Sequence, residues 1–299
     1  MSWIKRISFF LLTNLAVVAV VSVVLSVFNV APYLTGTGLD LKSLLIFSAL
    51  FGFTGSLVSL FLSKWMAKRA FDIVLITEPR SETERFLVTT VRRLADRASI
   101  AMPEVGIYAS PEANAFATGW NKNAALVAVS SGLLESMTHE EVEGVLGHEV
   151  SHVANGDMVT LALIQGVVNT FVIFFARVAA YVVQQFLSRD EEGGMSSFAY
   201  HVTAFIFELC FGVLASMLVM AFSRHREYRA DRGSATLMGG SRQMISALEK
   251  LAQLEGRAVD PRGTAFASMK IADRPSRVLA LFSSHPPLAK RIEALHRAS

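Results

Sequence analysis

One cysteine in 299 residues, Cys210, rules out an intrachain disulfide and a thiolate metal cluster, so any metal held by this chain must rest on histidine and carboxylate. Charge is scarce as well. Only 18% of the residues are charged against 52% hydrophobic, which excludes an ordinary soluble enzyme and places the chain among membrane proteins. The formal net charge of +3 is small and does not point to nucleic acid. The basic residues gather at the ends of apolar runs and in the C-terminal quarter, a pattern suited to a lipid bilayer with anionic headgroups.

What the chain does contain is four apolar runs, at residues 7–28, 41–62, 158–183 and 198–222, each long enough to cross a bilayer. The first exceeds a signal-peptide core and has no small-x-small cleavage site, so it reads as a retained span. A turn with Pro32, Gly36 and Gly38 joins it to the second run, and a polar turn at 189–194 joins the third to the fourth. Lys5 and Arg6, Lys64, Lys68 and Arg69, and Arg224 and Arg226 then fall on one side, which the positive-inside rule makes the cytoplasm. Inside the runs, Glu208 and Asn169 lie at similar depth. Their expected role is a hydrogen bond between two helices, with Arg177 turned outward.

Residues 67–157 have the composition of a soluble domain. Ser81 and Glu84 form a capping box that opens a helix to about Ser99, with Phe86, Leu87, Val91 and Leu94 on one stripe. The runs 105–110, 114–119 and 124–130 are β-like and separated by turn residues, which predicts a small sheet. Such a strand serves as core or holds an extended peptide by edge pairing. A second capping box, Thr138 with Glu141, opens the next helix, where Val142, Leu146, Val150 and Val153 recur at helical spacing. Beside that stripe runs Gly147-His148-Glu149-Val150-Ser151-His152, an HExxH pattern. His148 and His152 sit one turn apart, so their imidazoles converge as two ligands of a Zn²⁺ ion, and Glu149 is placed to take a proton from a water held there. That is zinc peptidase chemistry.

A catalytic zinc needs a third protein ligand and an open position. His139, His201, His225 and His296 read as structural or solvated histidines. Immediately after the fourth run, Glu227-Tyr228-Arg229-Ala230-Asp231 places two acids one turn apart, Glu227 to ligate and Asp231 to buttress a ligand imidazole. A hairpin of the third and fourth runs returns this segment to the HExxH helix. The alternative is a solvated charge face shared with Arg226, Arg229 and Arg232.

The HExxH motif followed by Asn155-Gly156-Asp157, then Glu227 to Asp231, with Asn114-Ala115-Phe116-Ala117-Thr118-Gly119 upstream and His285-Pro286-Pro287 downstream, resembles the HtpX-type membrane metalloproteases. These are bacterial relatives of the CAAX prenyl endopeptidases among the gluzincins. The resemblance implies a stress-response endopeptidase of the inner membrane, with one zinc per chain and a cytoplasmic site, acting on misfolded or damaged membrane proteins or other unfolded polypeptides. It further implies that Asn114, Ala115 and Phe116 begin an edge strand aligning substrate, and that His285 stabilises an oxyanion with Arg291 as its support. A His-Pro-Pro turn equally suits a tight start to the helix 288–296. Residues 256–276, polar and broken by Gly and Pro, are expected to form a loop near the cleft.

The expected fold is a mainly α-helical, polytopic membrane protein of four spans with a cytosolic zincin-like α+β metalloprotease domain. Its divisions are an N-terminal hairpin (1–66), a zincin-like segment (67–157), a second hairpin (158–222) and the rest of the catalytic domain (223–299). The competing reading is a non-enzymatic membrane scaffold or metal carrier with a structural zinc, which a fourth protein ligand would favour.

Overall fold

A computed structural model describes residues 38–187, 197–257 and 284–298, with a few positions between 19 and 35. All but a few positions of the first apolar run lie outside the described residues, as do the 189–194 turn and nearly all of the 256–276 loop. The described strands are β1 (Leu34–Thr35), β2 (Gly38–Leu39), β3 (Val74–Leu75), β4 (Glu104–Tyr108), β5 (Ala115–Gly119) and β6 (Ala125–Ser130). The helices are α1 (Leu41–Ala70), α2 (Glu82–Arg97), α3 (Ser131–Ser136), α4 (His139–Ala154), α5 (Asp157–Leu187), α6 (Ser197–Met238), α7 (Arg242–Arg257) and α8 (Leu288–Ala298). Among the described residues three helices, α1, α5 and α6, are long and apolar enough to cross a membrane. The fold is mainly helical with a small sheet, and internal contacts divide it into two units.

One unit holds Leu60–Val159 and Met220–Ser299. Its sheet has the order β3-β4-β6-β5, parallel between β4 and β6 and antiparallel elsewhere, so among the described residues β5 is an edge strand. β6 is buried along its whole length. Its Val127 and Val129 meet Leu87, Val91 and Leu94 of α2 and Leu146 and Val150 of α4 in one apolar core. Both capping boxes form, Ser81 with Glu84 on α2 and Thr138 with Glu141 on α4. Each satisfies two of the backbone amides that a helix start leaves unpaired. α4 ends at Asn155, and Gly156 adopts a φ of +66°, a left-handed conformation that costs a glycine little. The chain then turns straight into α5 at Asp157.

The other unit holds Ser2–Ser59 and Thr160–Val219. Here the structure corrects the sequence reading. Glu208 does not bond to Asn169, and Arg177 does not turn outward; the Arg177 guanidinium donates to the Glu208 carboxylate. Asn169 accepts instead from Gln165 of its own helix at 2.7 Å. Arg177 also lies 5.3 Å from the centre of the Phe47 ring. In apolar surroundings a carboxylate gains more from a cation than from an amide, because pairing neutralises both charges at once.

Candidate metal centre

The site begins with how closely two helices pack. A Cβ at Gly147 of α4 would lie 2.6 Å from Ser234 Oγ of α6, and one at Gly233 would lie 2.7 Å from Ser151 Oγ. Glycine on one helix facing serine on the other, in both directions, lets α4 and α6 approach across a gap that a methyl group would close. Glu227, Asp231 and Ser234 share one face of α6, being four and seven positions along the helix. The approach at Ser234 therefore lays both acids against His148 and His152.

Glu227 is fully buried there. Its Oε2 lies 3.4 Å from His148 Nε2 and its Oε1 3.3 Å from His152 Nε2, while the two Nε2 atoms are 3.1 Å apart. The opposite ring nitrogens are held by carboxylates. His148 Nδ1 is 2.9 Å from Asp231 Oδ1, and His152 Nδ1 is 2.6 Å from Asp157 Oδ2. Each carboxylate is capped in turn. Arg291 donates from Nη2 and Nε to the two oxygens of Asp231 at 2.6 and 2.8 Å, and Arg229 donates to Asp157.

This donor set fits a divalent metal ion. With Nδ1–H donating to an aspartate on each ring, both Nε2 atoms are left as acceptors, and they face each other and a carboxylate. Glu227 Oε1 accepts no hydrogen bond among the described residues. Three ligand atoms, one each from His148, His152 and Glu227, lie within 4.8 Å of one another. Lone pairs converging on one point demand positive charge there.

The protonation energetics say the same. Burial alone would lower the pKa of His152, but Asp157 and Glu227 reverse that and push it up to about 9. Burial likewise opposes charge on His148, and Asp231 and Glu227 outweigh it to raise its pKa. Burial works to raise the Glu227 carboxyl, yet the histidines around it hold it far below the usual carboxylate range. For Asp231 burial is again overcome, by Arg291 and His148, and the carboxyl stays low. Glu227 and Asp231 stay ionised and draw positive charge onto the two imidazoles, as protons in the metal-free centre and as a cation that would displace them.

A cleft of about 560 Å³ opens over these atoms, lined by Glu149 next to His148, by Asn114 and Ala115 at the start of the edge strand, and by His285. Glu149 is half-buried and stays outside the ligand triangle. One expected placement changes. Phe116 is not in the cleft: its ring packs on Phe71 and Tyr108, because side chains alternate across a strand and Ala115 takes the cleft-facing position. His285 lines the same cleft, and its Nδ1 donates to Glu227 Oε2 at 2.7 Å. Arg291 stands behind the ligands as a support, donating to Asp231, with its Nη1 3.7 Å from Glu227.

Sequence reasoning passed over Asp157 and Arg229. The signal was there: an acid directly beyond the glycine that ends the HExxH helix, five positions from His152 and so within reach of its outward nitrogen.

Comparison with known proteins agrees with the geometry. Residues 81–299 match the sequence model of peptidase family M48. A protein named Protease HtpX homolog, from Thiobacillus denitrificans, is 55% identical over 292 residues, covering 97% of this chain and 98% of that one. Protease HtpX of Hydrogenovibrio crunogenus is 53% identical over 291 residues, covering 97% and 96%. In fold, the chain is similar to the crystal structure of S. mikatae Ste24p, with a TM-score of 0.65 at 17% identity, over 98% of this chain and 64% of that one. This chain thus spans a little under two thirds of the Ste24p chain. The family match over most of its length, together with relatives more than half identical to it, shows that the chain belongs to peptidase family M48.

Proposed function

We propose that the protein is a membrane-bound, zinc-dependent endopeptidase that hydrolyses peptide bonds of misfolded or damaged membrane proteins at the cytoplasmic face of the bacterial inner membrane, with four spans and both termini in the cytoplasm. One observation carries the reading. His148, His152 and Glu227 converge while Glu149, next to the first ligand, faces the same cleft without being a ligand. Zinc held by the three ligands would supply Lewis acidity toward the scissile carbonyl and acidify an attacking water.

The chain's own residues do the rest. Among the described residues no strand pairs with the outer side of β5, so this strand, with Asn114 and Ala115 at its cleft end, can grip an extended peptide by its main chain and leave its side chains unselected. Glu149 accepts the proton of the attacking water and passes it to the leaving amine. Asp231 and Asp157 keep both imidazoles in the tautomer that turns Nε2 inward. His285 holds Glu227 in place from the cleft side. The structural-zinc alternative needs a fourth protein ligand. Among the described residues only His148, His152 and Glu227 group within ligating reach of one another, and His285 bonds to one of these ligands through Nδ1.

The test pairs metal content with turnover. Purified in detergent, the protein should degrade an unfolded polypeptide when zinc is added and stop when a chelator is added. Glu149→Gln should keep its zinc and lose at least about 100-fold in rate, the usual contribution of a positioned base. A Glu149→Gln rate near that of the parent would end the assignment.

A further inference from the structure

The sheet face turned away from α4 carries an aromatic seam. Phe116 of β5 lies 5.3 Å from Phe71, at the end of α1, and 5.7 Å from Tyr108 of β4. Just past the other end of β5, Trp120 meets Phe61 of α1 at 6.0 Å. The last turns of α1 therefore run alongside β5, with Phe61 level with Trp120 and Phe71 level with Phe116. Two rulers agree on this: ten helical residues rise about 15 Å, and four strand residues span about 13 Å.

Phe61 marks a boundary. It is the last aromatic of the apolar run of α1, which ends at Leu62, and Lys64, Trp65 and Lys68 follow, the residue order found where a helix leaves a bilayer. Phe61 is nevertheless 58% exposed and Trp120 45% exposed, and Trp65 adds a third large apolar side chain on the surface. Indole rings favour the headgroup level, where an apolar body and a polar N–H are both satisfied. The turn that carries Trp120 also holds the exposed Lys122, suited to anionic headgroups. Lys64 ties that turn to α1, donating to the Ala124 carbonyl at 3.4 Å and pairing with Glu104 at 3.0 Å.

We infer that Trp120 seats the β5–β6 turn in the lipid headgroup boundary, so that the free edge of β5 rises from the bilayer surface to the metal cleft. Asn114, which lines the cleft, stands six residues up the chain from Trp120, about 20 Å at strand rise. The substrate class follows, and this part rests on the proposed peptidase reading. It is a polypeptide segment leaving the bilayer, paired in extended form along β5 and cut about six residues from its exit. A scissile bond much nearer the membrane cannot reach Glu149.

Two measurements test this separately. In the full chain with Trp3→Phe and Trp65→Phe, Trp120 is the sole tryptophan; reconstituted in phosphatidylcholine–phosphatidylglycerol vesicles, its fluorescence should be quenched most by lipids brominated at the headgroup end of the acyl chain. Quenching by aqueous iodide with none by brominated lipid would overturn the seat. The second measurement uses single-span substrates whose only cleavable stretch begins at different distances from the span. Cutting is expected from about six residues outward and not at about two. Equal cutting at both distances would overturn the substrate class. Trp120→Gln should cut these tethered substrates several-fold more slowly while cutting a soluble unfolded protein at the parent rate, and Trp120→Phe should restore tethered cutting. An equal loss on both substrates would overturn the anchoring role. No cleavage of either by the parent protein would end the peptidase reading, and the quenching pattern would still decide the seat of Trp120.

Discussion

The two imidazoles of α4 are held by the same parts in opposite surroundings. On His148 the chain is Asp231 and then Arg291, and the arginine side chain is only 6% exposed. On His152 it is Asp157 and then Arg229, whose side chain is 48% exposed. A carboxylate fixes the ring and an arginine fixes the carboxylate in both cases. The difference is what water can do. Around Arg229 water can replace a lost hydrogen bond; around Arg291 it cannot, and a missing partner leaves a buried charge uncompensated. The same order of carboxylate and arginine therefore hides unequal energetics.

The largest effect is expected where the arms meet. Glu227→Ala should lose metal and activity together, as His148→Ala should, while still inserting and expressing, because the carboxylate is shared by both rings. Metal content measured on membranes carrying the variant checks this; normal zinc in Glu227→Ala would mean that the arms converge on some other ligand.

Next comes pH. Since His152 is pushed up to about 9 and His148 is raised as well, metal must displace protons at neutral pH, and affinity should climb with pH by up to about tenfold per unit for each proton released. Calorimetry in buffers of different ionisation enthalpy would count those protons, and a count of zero would contradict the shifts. In the metal-free protein the sign reverses. A raised histidine pKa stabilises the fold fully below its ordinary 6.5, and that contribution fades as pH rises through about 9.

The arms themselves separate at the third step. Asp231→Asn should weaken metal binding about 10–100-fold, and Asp157→Asn should fall at the lower end of that range, by competition against a chelator. Smallest of all is Arg229→Gln, expected within about threefold of the parent because exposed ion pairs contribute little. Arg291→Gln should instead track Asp231→Asn. If the two arginine variants behave alike, exposure does not govern the difference between the arms.

Much of this site could be read from residue order. The capping boxes at Ser81 and Thr138, the HExxH stripe and the pairing of Glu227 with Asp231 follow from helical spacing, which is local. What escaped the sequence depended on direction or on approach. Asp157 reaches His152 only because Gly156 turns the chain left-handed between them, and spacing along a continuous helix does not describe that bend. Phe116 belonged to the right strand but the wrong face. The fourth apolar run ends at Phe222, whereas α6 continues unbroken to Met238, because composition reports where the surroundings change and not where hydrogen bonding stops. β3 has two residues and gives no periodicity to read. Arg177 found Glu208 through the relative rotation of two helices, and hydropathy says nothing about rotation.

The glycine–serine contacts between α4 and α6 reach into inorganic chemistry. Bond lengths to a tetrahedral zinc vary by only about 0.1–0.2 Å, whereas a methyl group at Gly147 would start 2.6 Å from Ser234 Oγ, so that either the serine hydroxyl turns away or the helices part. Such a wedge touches no ligand and changes no charge. Where the helices part, it would widen the triangle of His148, His152 and Glu227, which favours larger, more weakly held ions such as Mn²⁺ over a small tetrahedral one. Gly147 and Gly233 would then bear on metal choice without carrying a side chain.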